Sequence, residues 1–454
     1  MLEKMKQYKF KCNNCSQEID QERYCKRKTM KNLFISGDVG VGKSHLLRNV
    51  LEEFNASLGG FITGKTPDQK GHTIYLKSLN DFVSFQNVAY VFGGTDIYSA
   101  EVYSKHFDSF GARTIEYSIT NRDLTVMDEI GVMERDSPAF LQSIISALDS
   151  EKPVIGVIKN RKDDYLENIK SRDDTKVLFL TGSNGTETYE EIKDWMIQNH
   201  LPLKRKRSHQ WKQKRIDMYE RALAYDHTDY PSVLLNTILR ETDDLGSKTW
   251  LDLGAGTGAF SIPLAKKSKS VCCIDSSFNM LLNLSEKIHN QKLSNIEANL
   301  ISFSRLKDKT FNYVLSSFSG NALKEKDNLV KFIEIANDKA FIICPPKKGT
   351  HSFNGEVLEK RIGRKIKSFG GGSTEILGFL ELENISYHYK EIDFNFPQVF
   401  NTKEECFHFF KDFYHIKTCE ETILIDFIGE YLRADHRYYI FDNYRRAGFV
   451  TIKK

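Results

Sequence analysis

The feature that most constrains the fold is a glycine-rich segment directly after a short strand-like run. Residues Gly37–Ser44 fit the pattern G-x-x-x-x-G-K-[ST], and the run Asn32–Ser36 precedes them. A helix with an apolar face is predicted to follow. Glycines let backbone amides turn inward around phosphate oxygens, and the N-terminus of the next helix adds partial positive charge. The segment therefore predicts an α/β fold with a phosphate-binding turn after a buried strand.

The residue types in this turn predict individual roles. Lys43 is predicted to be catalytic and to reach the β- and γ-phosphates of a nucleotide, while the Ser44 hydroxyl binds magnesium. The alternative is a glycine-rich turn that contains Gly-Lys-Ser by chance, but the predicted strand and helix on either side favour the phosphate site. The predicted nucleotide-binding residues are Gly37, Asp38, Val39, Gly40, Val41, Gly42, Lys43, Ser44 and His45.

A pair of carboxylates follows another apolar run. Leu124–Met127 leads directly into Asp128 and Glu129. Near a phosphate-binding loop, Asp128 would hold magnesium through water and Glu129 would polarise the attacking water, so both are predicted to be catalytic. The alternative is a pair that caps a helix. Arg161 and Arg172 follow the strand candidate Val154–Ile158 and are candidates for offsetting transition-state charge, with a solvated basic surface as the alternative.

The order and spacing of four segments resemble one small P-loop family, the cancer-related nucleoside-triphosphatases, which also has thermophile members. These segments are Gly37–Ser44, Gly59–Thr63, Asp128–Glu134 and Pro153–Ile158. The resemblance covers about residues 31–200, and the D-E-I-G-x-M-E block is its most distinctive part. It implies a RecA-like P-loop sheet and magnesium-dependent hydrolysis of ATP, GTP and other nucleoside triphosphates.

A second glycine turn occurs in the C-terminal half. The strand candidate Thr249–Leu253 contains Asp252 and runs into G-x-G-x-G, and Asp275 stands 17 residues after the last glycine, Gly258. Glycines here admit a ligand close to the backbone, and an acid at the end of the second strand can accept both ribose hydroxyls. The pattern favours a nucleoside-containing cofactor, with a nicotinamide-binding Rossmann domain as the alternative.

Leu251–Phe260 and Cys273–Met280 resemble motif I and the acidic loop of class I S-adenosylmethionine-dependent methyltransferases. The resemblance implies binding of S-adenosylmethionine and a Rossmann-like seven-stranded sheet closed by an antiparallel pair. Tyr438–Phe441 and Phe449–Ile452 are the strand candidates for that pair. The predicted cofactor-binding residues are Asp252, Gly254, Ala255, Gly256, Gly258, Asp275, Ser276, Ser302, Phe303 and Ser316.

Three features bear on the cofactor base and the methyl acceptor. Ser302 stands where this family often has an acid for the adenine amino group, and Phe303 is predicted to pack against the adenine face. The loop Ser316–Asn321 follows the fourth strand, where the acceptor is expected. Residues of about 346–437 are predicted to be an aromatic-rich insertion that forms a lid or substrate pocket, with ordinary helical packing as the alternative.

Length and composition fit this two-part interpretation. The chain has 454 residues, 40% of them hydrophobic, which suggests two or three domains with buried cores. We predict a cysteine-containing arm (1–29), a P-loop domain (30–200), a basic linker (201–215) and a methyltransferase domain (216–454). The sequence has no apolar run near the ~18 residues of a membrane helix, and its N-terminus lacks the apolar core of a secretory signal. We therefore expect a cytoplasmic protein.

Three cysteines cluster in the N-terminal arm. Cys12, Cys15 and Cys25 resemble part of a zinc site, but tetrahedral structural zinc needs four ligands. His45, His72 or a partner chain would supply the fourth. The alternative is an arm of redox-active or free thiols.

The linker supplies the remaining signal. Lys204–Arg215 carries seven basic residues and no acid, and removing it from the formal net charge of +4 leaves about −3.

The leading hypothesis is a bifunctional enzyme that hydrolyses nucleoside triphosphates and methylates a small molecule. One alternative is an RNA-modifying enzyme whose linker binds phosphates, although a solvated linker is favoured. Another is a nucleotide-gated switch that regulates the methyltransferase half.

Overall fold

The computed structural model of the chain describes residues 30–67, 69–80, 85–92, 100–204, 211–306, 309–319, 322–348, 352–366 and 372–454. Two mixed sheets with helices on their faces dominate it, which confirms the predicted α/β class with two sheets. The cysteine arm, with Cys12, Cys15 and Cys25, lies outside the described residues, so its metal site stays a prediction.

The first sheet has eight strands among the described residues, in the spatial order β5-β4-β3-β2-β6-β7-β1-β8. Strands β1, β2, β6, β7 and β8 are parallel, and β3 to β5 continue the sheet in antiparallel fashion. The strands are β1 Asn32–Gly37, β2 Leu58–Pro67, β3 Gly71–Ser78, β4 Phe85–Phe92, β5 Ala100–Val102, β6 Leu124–Ile130, β7 Val154–Ile158 and β8 Thr175–Leu180.

The helices of this half connect the strands and cover both faces of the sheet. Leu33, Phe34 and Ile35 of β1 are completely buried, as expected of a parallel strand that is covered on both sides. The strand that carries Asp128, β6, is separated from β1 by β7, which is the RecA-like order. The helices are α1 Lys43–Leu51, α2 Ser104–His106, α3 Ala112–Asn121, α4 Pro138–Asp149, α5 Asp164–Lys170 and α6 Gly185–Gln198.

The second sheet has seven strands among the described residues, in the order β11-β10-β9-β12-β13-β18-β14. The last pair is antiparallel, with β18 inserted between β13 and β14. Numbered within this sheet, the order is 3-2-1-4-5-7-6, which is the predicted Rossmann-like methyltransferase architecture. The strands are β9 Thr249–Leu253, β10 Ser270–Asp275, β11 Ile296–Leu300, β12 Phe311–Ser317, β13 Ala336–Cys344, β14 Tyr387–Asn395 and β18 Tyr444–Lys453.

A smaller three-stranded sheet corrects two predictions. It consists of β15 Gln398–Phe400, β16 Leu432–Asp435 and β17 Tyr438–Phe441. The predicted pairing of 438–441 with 449–452 is therefore wrong, because β17 pairs with β15 and β16 while β18 pairs with β13 and β14. The region 346–437 is also not one insertion, because its strand β14 belongs to the main sheet.

The helices of the second half surround the main sheet or build a separate layer beside it. We call residues 396–443 the cap. Its aromatic side chains, with Phe353 and Leu358 from outside it, form their own apolar cluster, which includes Phe400, Phe410, Phe427 and Phe441. The helices are α7 Gln213–Leu223, α8 Ser232–Arg240, α9 Ser261–Ala265, α10 Phe278–Asn290, α11 Lys326–Glu334, α12 Gly355–Ile362, α13 Gly372–Leu382, α14 Lys403–Tyr414 and α15 Glu421–Tyr431.

The two halves meet where α1 approaches α10. Phe278 and Leu282 of α10 belong to the apolar cluster that contains Leu47 and Leu51 of α1. The ammonium group of Lys77 is buried there and donates a hydrogen bond to the Leu282 carbonyl at 2.6 Å. Burial lowers the pKa of this lysine well below its usual value. The contact therefore combines apolar packing with a buried polar link.

Candidate functional site

The phosphate loop lies open at the carboxyl end of β1. Asp38 and Gly40 are exposed, and Val39 is 95% exposed. Gly40 and Gly42 adopt left-handed φ values of 83° and 98°, which glycine tolerates far better than other residues. A Cβ atom at either position would meet no neighbour within 4 Å. The backbone conformation and the free space above it therefore leave room for a phosphate chain.

Lys43 begins α1 and turns back into this loop. Its side chain is buried, and Nζ donates hydrogen bonds to the carbonyl oxygens of Gly37 at 2.9 Å and Asp38 at 2.8 Å. Two neutral carbonyl groups thus hold the charge inside the turn. Charged phosphate oxygens would be stronger partners for the same ammonium group.

Ser44 and Asp128 come together although 84 positions separate them in the chain. Ser44 Oγ donates to Asp128 Oδ1 at 2.6 Å. Asp128 Oδ2 is buried without a hydrogen-bond partner, and Arg48 Nη2 lies 3.8 Å from it. Burial raises the pKa of the Asp128 carboxyl. A hydroxyl beside a carboxylate with a free oxygen is a donor set that suits Mg²⁺.

The segment after Asp128 adds two acids. Glu129 is half-buried, and its backbone amide donates to Thr63 Oγ1 at 3.1 Å, which fixes the end of β6 against β2. Glu134 is buried and accepts a hydrogen bond from the Gly131 amide at 2.6 Å. Burial raises the pKa of Glu134. Glu134 therefore holds the loop after Glu129 in place, a role that its motif position alone did not indicate.

The two arginine candidates lie in different places. Arg161 follows β7, whose carboxyl end is on the same edge as the phosphate loop, and it is exposed. Arg172 pairs with Asp149 at 2.7 Å and with Asp174 at 2.9 Å. The Asp174 carbonyl accepts from the amide of Asn32, the first residue of β1. Arg172 is therefore at the opposite edge of the sheet, and its candidacy for the transition state is wrong.

The second glycine turn is held against β10. The amides of Gly254 and Ala255 donate to the Ile274 carbonyl at 2.7 and 3.1 Å. Gly254 has a left-handed φ of 76°, and a Cβ atom there would overlap the Ser319 hydroxyl. Ser319 Oγ in turn donates to the Leu253 carbonyl at 2.8 Å. The close approach of Ser319 makes this glycine necessary, and sequence reasoning did not identify that contact.

Two carboxylates flank this turn. Asp275 Oδ2 accepts from the Gly256 amide at 2.9 Å, and Oδ1 accepts from the Ser277 amide at 2.8 Å. Asp252 is 2% exposed and accepts a hydrogen bond from the Ser261 hydroxyl. Burial raises the pKa of Asp252 to about 7, and the charge of Asp275 acts in the same direction. The turn thus brings together a half-buried acid, Asp275, and a deeply buried one, Asp252.

Other predicted cofactor residues differ in position. Ser276 is exposed beside Asp275, and Ser302 is partly exposed, with Oγ 3.1 Å from the Ser304 hydroxyl. Ser316 is buried within β12. Phe303 is 4% exposed and belongs to a core cluster, where its ring centroid lies 6.2 Å from that of Phe332. This position argues against the predicted packing of Phe303 on an adenine face.

Helix α7 is tied to the second turn. Lys287 Nζ pairs with Glu220 of α7 at 2.5 Å and donates to the Thr257 carbonyl at 3.2 Å. The side-chain Nδ2 of Asn279 donates a hydrogen bond at 2.9 Å to the carbonyl of Trp211, which lies just before α7. The segment that precedes the sheet therefore lies over the glycine turn.

The linker prediction needs correction at both of its described ends. Lys204 Nζ lies 3.2 Å from Glu52 and donates to the Ser276 carbonyl at 3.0 Å, so it is not a solvated linker residue. At the other end α7 begins at Gln213, inside the predicted linker. Residues 205–210 lie outside the described part. Within the described part, no group of three or more His, Cys, Asp or Glu side chains is arranged to hold a metal ion, and His45 and His72 join no such group.

Comparisons with known proteins assign both halves. The sequence model of the NTPase family matches residues 32–193, and that of a methyltransferase domain matches residues 251–337. The nucleoside-triphosphatase THEP1 of Thermotoga petrophila is 32% identical over 166 residues, which cover 35% of this chain and 89% of that protein. THEP1 of Thermotoga sp. strain RQ2 is 30% identical over 166 residues, covering 35% and 92%.

Among solved structures, the magnesium protoporphyrin IX methyltransferase of Synechocystis PCC 6803 with bound S-adenosylhomocysteine is 12% identical, with a TM-score of 0.31. The match covers 60% of this chain and 95% of that one. Among the described helices of the present chain, none combines the length and the apolar character needed to cross a bilayer.

Proposed function

This chain belongs to the THEP1 nucleoside-triphosphatase family over residues 32–193, and from that premise we propose a bifunctional enzyme. The half of the chain that contains the first sheet hydrolyses nucleoside triphosphates such as ATP or GTP with magnesium. The half that contains the second sheet transfers a methyl group from S-adenosylmethionine to a small molecule. One observation carries the proposal. In each half a glycine turn lies close to a carboxylate at the end of another strand of the same sheet: Asp128 is two strands away from the first turn, and Asp275 is on the strand next to the second.

Hydrolysis follows from the residues around the phosphate loop. The loop amides and Lys43 bind the phosphate chain, so that Lys43 exchanges its two carbonyl partners for β- and γ-phosphate oxygens. Ser44 and Asp128 hold Mg²⁺, which when bound neutralises charge on the β- and γ-phosphates. Glu129 orients a water whose oxygen attacks the γ-phosphorus, while the bond to the β-phosphate oxygen breaks. The products are a nucleoside diphosphate and phosphate.

Methyl transfer follows from the second turn. When bound, S-adenosylmethionine supplies an electrophilic methyl group on a sulfonium. Asp275 accepts the ribose hydroxyls, and the left-handed turn at Gly254 and Gly256 lets the cofactor approach the backbone. A lone pair of the acceptor attacks the methyl carbon as the carbon–sulfur bond breaks, leaving S-adenosylhomocysteine. The chain contributes mainly the alignment of the two reactants.

Reciprocal variants test this proposal. Lys43→Ala is expected to reduce phosphate release by roughly 100-fold or more, because the main side-chain cation at the phosphates is lost. Its affinity for S-adenosylhomocysteine should be unchanged. Asp275→Ala should lose that affinity and keep hydrolysis. Full hydrolysis by Lys43→Ala, or absence of S-adenosylhomocysteine binding to the unmodified chain in calorimetry, would refute the corresponding half.

A second candidate function, nucleotide-gated methyl transfer, is favoured by one set of contacts. Helix α1 carries Lys43 and Ser44 at its start, and Glu52 follows its end. Glu52 is 2% exposed, and its Oε2 accepts from the amide of Asn279 at 3.2 Å. Its Oε1 pairs with Lys204, which also contacts the Ser276 carbonyl beside Asp275. A shift of α1 on nucleotide binding would thus reach the cofactor loop.

Affinity measurements distinguish this candidate from two independent activities. The affinity for S-adenosylhomocysteine is measured by calorimetry with and without magnesium and a non-hydrolysable ATP analogue. Gating predicts that the nucleotide changes this affinity, and that Glu52→Gln abolishes the change. Glu53→Gln is the matched control, because Glu53 pairs with Lys193 and Tyr189 within the first half. An affinity that the nucleotide leaves unaltered would refute the gating.

A further inference from the structure

Arg445 occupies an unusual position at the carboxyl edge of the second sheet. It is the second residue of β18, which runs antiparallel to β13 and therefore begins at that edge. Its guanidinium carbon lies 5.3 Å from the ring centroid of Phe318 and 5.7 Å from that of Phe394. Phe318 directly follows β12, next to the strand that carries the glycine turn. Arg445 thus lies where the methyl acceptor is expected.

The charge of Arg445 is not balanced by an acid within the described part of the chain. Among the residues that the structure describes, no carboxylate is within ion-pair distance of its guanidinium, whereas the adjacent Arg446 lies 2.6 Å from Asp393 and 3.8 Å from Glu391. Burial lowers the pKa of Arg445, although the hydroxyls of the nearby Tyr230 and Tyr219 oppose this effect. Arg445 is half-buried beside two aromatic rings, and a cation in such a place without an anion costs free energy, which a negatively charged ligand would offset.

The surroundings of Arg445 connect it to the cofactor turn. Phe318 adopts a left-handed φ of 51°, which is unfavourable for a residue other than glycine, and its ring lies beside the guanidinium. The next residue, Ser319, contacts Gly254. Tyr230 also lies near Phe318, with ring centroids 6.3 Å apart, and the charge of Asp252 contributes to the raised pKa of the Tyr230 hydroxyl, after burial. The cation therefore adjoins the cofactor turn.

We propose that Arg445 binds a carboxylate or phosphate group of the methyl acceptor. This inference rests on the proposed methyl transfer. The guanidinium fork matches the paired oxygens of either anion, and the rings of Phe318, Phe394 and Tyr230 accommodate an apolar remainder. The acceptor class is thus a small molecule with one anionic group on an apolar or aromatic frame. The same chemistry is available from the carboxylate of the cofactor, and the test separates the two sources.

The experiment uses the full chain saturated with S-adenosylhomocysteine. Benzoate and phenyl phosphate are titrated by calorimetry, with benzyl alcohol as the neutral comparison. The anions should bind in preference to the alcohol, and Arg445→Gln should weaken anion binding roughly tenfold or more. Arg446→Gln is the matched control and should not change it. Arg445→Lys keeps the positive charge but not the paired N–H groups of the guanidinium, so it should retain part of the affinity for the anions. It also provides a second test if the glutamine variant does not fold.

The outcomes separate this inference from the function on which it rests. Equal binding of anions and alcohol, or undiminished anion binding by Arg445→Gln, overturns the assignment of Arg445. A loss of S-adenosylhomocysteine affinity in Arg445→Gln also overturns it, because the guanidinium would then bind the cofactor carboxylate. If the unmodified chain fails to bind S-adenosylhomocysteine, the proposed methyl transfer itself fails.

Discussion

Replacing Asp252 by asparagine is expected to remove a pH-dependent loss of stability. Burial raises the pKa of this carboxyl from its usual 3.8 to about 7. Between these values the folded chain keeps a proton that the unfolded chain has released. The free energy of unfolding therefore decreases as the pH rises from about 4 to about 7. At about 1.4 kcal/mol per pH unit, the gap between the two pKa values corresponds to about 4 kcal/mol.

Urea unfolding followed by tryptophan fluorescence measures this effect, because Trp250 is fully buried in the strand that carries Asp252. The difference in free energy of unfolding between Asp252→Asn and the unmodified chain should shift in favour of the variant by up to about 4 kcal/mol from pH 4 to pH 7.5, since asparagine has no charge to bury. Asp226→Asn, at an exposed position, is the control and should give no such gain. A difference between Asp252→Asn and the unmodified chain that is constant with pH would refute the reasoning.

Three further predictions address other contacts. Gly254→Ala should weaken S-adenosylhomocysteine binding roughly tenfold or more, because an alanine in the left-handed conformation costs about 1–2 kcal/mol and its Cβ would overlap Ser319. An unchanged affinity in calorimetry would contradict this prediction. Ser44→Ala should raise the magnesium concentration that half-saturates hydrolysis, because the hydroxyl beside Asp128 is lost, whereas Ser44→Thr should not. Arg172→Ala should lower the melting temperature and leave hydrolysis within about twofold, since its ion pairs lie at the far edge; a large loss of hydrolysis would restore it as a catalytic candidate.

The parts of the molecule that sequence could predict are those written in short contiguous segments. A glycine turn of this kind needs a strand before it and a helix after it. The motifs at Gly37–Ser44 and at Gly254 therefore predicted the strand and the helix that flank each of them. Buried parallel strands are also local signals, and Val154–Ile158 and Thr249–Leu253 have the predicted bounds. These features predicted the two-sheet α/β fold, and the strand pairing of the structure confirms it.

The partner of each strand and the direction of each side chain could not be predicted from the local sequence. Tyr438–Phe441 has the composition of a strand, but composition does not specify a partner, and its neighbours come from 398–400 and 432–435. Phe303 follows a strand end near the cofactor turn, yet its ring enters the core and packs in the same apolar cluster as Phe332. Arg172 was placed by its position after a strand, and only the pairing with Asp174 shows which edge it occupies.

The central claim is that one chain carries two separate sites for nucleotide-type ligands. Native mass spectrometry of the full chain, with magnesium, a non-hydrolysable ATP analogue and S-adenosylhomocysteine, tests it most directly. The account predicts a species that holds one molecule of each ligand, from which Lys43→Ala removes only the nucleotide and Asp275→Ala removes only S-adenosylhomocysteine. A chain that never holds both ligands at once, or in which either substitution removes both, would contradict it.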